Sequence, residues 1–86
     1  MNICFRMDKG EVAAVLPVWA NVQRTLLTCY AHVGQHGACS RAWVNTTRPA
    51  TYAEYSDLLA ELEHIYAPEP LIVQPTMRTL GAVQEC

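Results

Sequence analysis

The stretch Thr51–Pro70, TYAEYSDLLAELEHIYAPEP, governs how the rest of the chain is read. Thr51 with Glu54 three residues later is a capping box, in which a hydroxyl and a carboxylate satisfy backbone N–H groups that the first helical turn leaves orphaned. Tyr52, Tyr55, Leu58, Leu59, Leu62, Ile65 and Tyr66 then recur at three- and four-residue spacing, which makes one apolar stripe. Pro68 and Pro70 close the helix, because proline has no N–H to continue it. One stripe needs one apolar surface to cover, and the spacing predicts contact through Tyr55, Leu58, Leu62 and Ile65.

The remaining segments read as strands. MNICFRM runs into Asp8-Lys9-Gly10, a tight-turn signal, and EVAAVLP follows, so residues 2–16 form a hairpin that Pro17 ends. Val18 to Arg24 is a connection, unless Val18, Trp19 and Ala20 extend an edge strand. TLLTCYAHV is a third strand, GQHG a turn, and ACSRAWVN a fourth strand. A turn at Gly34 to Gly37 sets Leu27 against Val44, Cys29 against Ala42, Ala31 against Ser40 and Val33 against Ala38. That register collects the apolar side chains on one face and leaves Tyr30, His32, Cys39, Arg41 and Trp43 on the other. LIVQ, Leu71 to Gln74, is long enough for a fifth strand. The expected architecture is a single α+β domain over residues 1–74, in the order β-β-β-β-α-β. A small antiparallel sheet of four or five strands carries one helix packed on one face. Residues 75–86 form a C-terminal tail, either an edge strand or an arm that reaches a second copy.

At 86 residues, half of them apolar, the chain builds one modest core. Arg6, Asp8, Lys9 and Glu11 interrupt the beginning, which does not read as a secretory signal, and eighteen apolar residues never run together. The expectation is a cytoplasmic protein with no membrane partner and no cofactor, whose four cysteines are free thiols. Charge is divided along the chain. Residues 1–50 carry five cations against two anions, and residues 51–86 carry one cation against six anions.

Cys29 to Cys39, CYAHVGQHGAC, suggests zinc, since thiolate and imidazole are the ligands tetrahedral zinc prefers. The pleat argues against it: Cys29 and His32 are three apart and point to opposite faces of a regular strand. At most His32, His36 and Cys39 converge, one ligand short of a closed structural site. A Cys39–His32 nucleophile lacks an orienting third residue and an oxyanion-binding loop, so the expectation is a protein without enzymatic activity.

Two surfaces remain as binding candidates. Glu54, Asp57, Glu61 and Glu63 line the helix face opposite the apolar stripe with no lysine or arginine to balance them, a ridge suited to a partner protein with a basic surface. Tyr30, His32, Arg41 and Trp43 form an aromatic and basic sheet face that would suit either a protein or the stacked bases of a single-stranded nucleic acid. The near absence of lysine and the lack of an RNA-binding signature favour the protein.

CYAHVGQHG and TRPATYAEYSDLLAELEHIY also resemble short proteins encoded by bacteriophages and related mobile elements, over roughly residues 26–66. The resemblance implies a small sheet followed by a capped acidic helix, and a protein that acts in the host cytoplasm by binding a host factor, as anti-CRISPR-like inhibitors of defence systems do. Self-association into a homodimer is expected beside it, through the bare sheet face or the tail.

Overall fold

The computed structural model of the chain describes residues 1–31 and 36–77. Strands β1 (Asn2–Asp8), β2 (Glu11–Trp19), β3 (Leu26–Tyr30) and β4 (His36–Ser40) are followed by a short helix α1 (Arg41–Asn45). Strand β5 (Arg48–Pro49), helix α2 (Tyr52–Tyr66) and strand β6 (Ile72–Gln74) complete the order. The strands form one sheet in the order β4-β3-β2-β1-β5, and β6 also pairs with β1. The fold is α+β with one main helix packed on the sheet, as the patterning predicts.

The first hairpin turns through Lys9 and Gly10, both with positive φ, 51° and 82°, which matches the right-handed twist of the strands they join. Asp8 and Glu11 close the ladder across the turn. Pro17 does not end β2, contrary to expectation. The strand continues to Trp19 through a register shift between Leu16 and Trp19, an irregularity that absorbs the missing N–H of proline. In the next connection, the Asn21 side chain replaces the ladder. Its Oδ1 accepts hydrogen bonds from the Thr25 and Leu26 N–H groups, both at 3.0 Å.

Strands β3 and β4 pair in a different register from the one expected. Leu27 lies opposite Cys39, Cys29 opposite Gly37, and Tyr30 opposite His36. The slip is an odd number of residues, so every β4 side chain moves to the other face. The predicted fourth strand also stops early. Ser40 caps α1, its Oγ accepting a hydrogen bond from the Trp43 N–H at 3.0 Å, so Arg41 and Trp43 stand on a helical turn and not on a strand.

Both faces of the sheet are buried. One face packs Ile3, Phe5, Ala14, Leu16 and Tyr30 under Leu58 and Leu62 of α2. The other packs Cys4, Val15, Leu27 and Cys39 under Val44 of α1, with Trp43, Trp19 and Met77 around them. The helix contacts are close to those expected: Leu58 and Leu62 are 0% exposed and Tyr55 is partly buried. Ile65, however, is 44% exposed, and Leu59 and Tyr66 take its place against the sheet. Met77 carries residues beyond β6 onto the second face, while residues 78–86 lie outside the described residues. The sheet face that the sequence leaves bare for self-association is thus a second core.

Candidate functional site

The two surfaces expected from sequence are rearranged by the fold. Tyr30 is 2% exposed and belongs to the face under α2. Its hydroxyl donates a hydrogen bond to Glu61, so a residue of the supposed sheet platform is bonded to a residue of the supposed acidic ridge. The Glu61 carboxylate holds the Tyr30 hydroxyl proton, raising its pKa through the hydrogen bond, with desolvation and charge adding to it. Beside this pair, the His36 Nε2 lies 2.6 Å from the Tyr66 hydroxyl, and the Tyr30 and His36 rings are 4.9 Å apart. These four side chains clamp the C-terminal half of α2 to β3 and β4.

The rest of the platform disperses. Trp43 packs into the second core and donates from Nε1 to Asp8 Oδ2 at 3.3 Å, which ties α1 to the first hairpin. Arg41 is exposed, with its guanidinium 5.8 Å from the centre of the Trp19 ring. His32 lies outside the described residues. The single aromatic and basic surface drawn from Tyr30, His32, Arg41 and Trp43 is therefore replaced by residues on opposite faces, because the odd register slip and the Ser40 cap reverse their direction. The zinc constellation separates in the same way: Cys29 and Cys39 share the second face, whereas His36 is held by Tyr66 on the first. Among the described residues, no three His, Cys, Asp or Glu side chains gather as a metal site would require.

The acidic ridge is also partly spent within the fold. Glu54 accepts hydrogen bonds from Arg48 Nη1 and Nη2, at 2.9 and 2.5 Å, and from the Thr51 N–H at 2.9 Å. Arg48, then the Thr51 N–H, hold its carboxyl down to a pKa of about 2. The basic and acidic halves of the chain meet here. Asp57 and Glu63 remain exposed on the outer side of α2.

What the sequence does not disclose is a cleft of about 370 Å³ at the N-terminus of α2, lined by Phe5, Pro49, Tyr52, Tyr55, Val73 and Pro75. It arises from a fork in the sheet. The outer edge of β1 is shared: β6 runs parallel to residues 2–4, and β5 runs antiparallel to Arg6 and Met7. Phe5 sits at the branch point, where its carbonyl accepts from the Ala50 N–H at 3.1 Å. Pro49 and Pro75 cannot donate to a ladder, so neither branch closes over the gap. Thr51 then starts α2 directly over the fork. Tyr55 stacks on Phe5 at 4.4 Å with the rings 3° from parallel, and Tyr52 meets Tyr55 edge-on at 5.5 Å. Tyr52 is 69% exposed, an aromatic ring presented at the cleft mouth. The clue in the sequence is the pair of prolines at strand ends, RPAT and VQP, either side of an aromatic helix start.

Such a cleft suits an apolar or aromatic segment of another molecule, with tyrosine hydroxyls as polar handles. Among the described residues, no helix is long and apolar enough to cross a membrane. No known protein family, characterised protein or solved structure matches the chain.

Proposed function

We propose that the chain is a non-catalytic module that binds another protein, in the manner of small phage-encoded inhibitors of host factors such as defence systems. The observation that carries this reading is the tyrosine and proline cleft. It combines an exposed aromatic anchor, Tyr52, with a preformed apolar floor of Phe5, Tyr55 and Val73. Interfaces concentrate their binding energy in aromatic anchors of this kind. Asp57 and Glu63 are exposed farther along α2 and add negative charge to the helix that carries Tyr52, which would attract a partner with a basic surface.

The test is capture of partners from lysate of the native host cell by the wild-type chain, by Tyr52→Asp and by an Asp57→Lys/Glu63→Lys double variant. All three positions are exposed, so the fold survives the changes. Loss of the same captured protein in Tyr52→Asp, with weaker and more salt-sensitive capture in the charge-reversed variant, supports the reading. Equal capture by all three removes the cleft and the helix face from the interface.

A further inference from the structure

The second face of the sheet holds three of the cysteines, and two of them are arranged as a pair. Cys29 on β3 and Cys39 on the edge strand β4 point to the same side, offset diagonally by one step of the ladder, because Cys29 faces Gly37 and Cys39 faces Leu27. Gly37 has no side chain to stand between them. A Cβ built there would lie 3.6 Å from Cys29 Sγ, so the thiol leans over that position. Burial, followed by the neighbouring Cys29 thiol, pushes the Cys39 pKa up to about 12. Their access to solvent differs: Cys29 is half-buried, whereas Cys39 is 7% exposed.

Cys4 is excluded by geometry. It pairs with Val15, and Val15 pairs with Cys29, so Cys4 and Cys29 stand in one row two strands apart. At roughly 4.8 Å per strand their separation is about 10 Å. That is beyond the Cα distance of about 7 Å that a disulfide can bridge.

We propose that Cys29 and Cys39 form an oxidisable dithiol, in which a hydroperoxide oxidises Cys29 and Cys39 resolves it into a cross-strand disulfide. The Cys29 thiolate attacks a peroxide oxygen and the O–O bond breaks. The departing alkoxide, or hydroxide from hydrogen peroxide, takes up the proton that the Cys29 thiol released and leaves as alcohol or water, and Cys29 becomes a sulfenic acid. Cys39 sulfur then attacks Cys29 sulfur, the S–O bond breaks, and the departing hydroxide takes the Cys39 thiol proton to leave as water. Two thiols are oxidised and one peroxide is reduced. Cys29 is the residue that meets the oxidant because Cys39 is closed from solvent. One strand across and two residues along, the two Cα atoms stand about 8 Å apart, so the link requires β4 to slide by about 2 Å, which an edge strand with only β3 beside it among the described residues permits.

The experiment treats the full reduced chain with stoichiometric hydrogen peroxide, blocks remaining thiols with iodoacetamide, and maps cross-linked peptides by mass spectrometry before and after reduction. The expected product is a reducible Cys29–Cys39 link, with Cys4 left alkylatable once the chain is unfolded. Cys39→Ser should stop at a Cys29 sulfenic acid trapped by dimedone, and Cys29→Ser should leave Cys39 a thiol. A dominant link to Cys4 or Cys86, or complete alkylation of Cys29 and Cys39 after oxidation, overturns the proposal. Because the wild-type map alone decides between these results, the test stands even where a variant fails to fold.

Discussion

The two faces of the sheet are built from alternate residues of the same strands, yet they are covered by unequal means. On one, a fifteen-residue helix with its own capping box lays two fully buried leucines over Ile3, Phe5, Ala14 and Leu16. On the other, a five-residue helix contributes one buried valine, with Trp43 and Met77 filling in around Cys4, Val15, Leu27 and Cys39. The difference teaches that small cores are unequal partners in stability. A long amphipathic helix removes a continuous stripe from water, whereas a single turn depends on its cap and on a few large side chains.

The largest effect belongs to the first face. Leu62→Ala, which empties a fully buried site, should cost about 2 to 5 kcal/mol in urea unfolding. Val44→Ala on the second face removes about two methylene equivalents, and at roughly 0.8 kcal/mol each should cost about 1 to 2 kcal/mol. Equal losses in the two variants would break the contrast between the faces. The caps sharpen it further. Ser40→Ala and Thr51→Ala should each cost about 1 kcal/mol. The first should also move the fluorescence of Trp43, because the Trp43 N–H is the group that the Ser40 hydroxyl caps, while the second should leave that signal in place.

The smallest effect is an acid titration confined to the start of α2. Glu54 has its pKa lowered in the folded chain, from 4.5 to about 2. Its contribution is therefore complete above the unfolded value and is lost as pH falls from about 4.5 toward 2. Helical circular dichroism should decline in that window, and less steeply in Arg48→Ala, which has already lost the ion pair. An identical acid profile in the two chains would detach Glu54 from helix stability.

The elements that were legible in the sequence are those whose signal is local. Asp8-Lys9-Gly10 fixes a two-residue turn, and Thr51 with Glu54 marks the start of α2, because the residues that make each structure are adjacent in the chain. The β3–β4 register was not legible, because Leu27 has apolar candidates at both Cys39 and Val44 and composition alone does not choose between them. Ser40 was masked by its neighbours: AWV favours a strand, and five residues are too few to show helical periodicity. A stronger hint went to the second core. ICF in β1 and VAAVLPV in β2 are continuous apolar runs, which is how strands covered on both sides read, whereas one-sided strands alternate. The cleft was hidden for another reason, since its walls come from three separate parts of the chain and no window contains them together.

That last property bears on when the cleft comes into being. Asn2 and Gln74 meet at the base of the fork across a separation of 72 residues, with Gln74 Nε2 donating to Asn2 Oδ1. Closing so long a loop is slow relative to forming the hairpins. During synthesis the β1–β2 hairpin and α2 emerge before β6, so the wall beside Phe5 is the last part of the cleft to be supplied. The cleft is complete only when β6 has joined β1, which ties its formation to the last step of the fold.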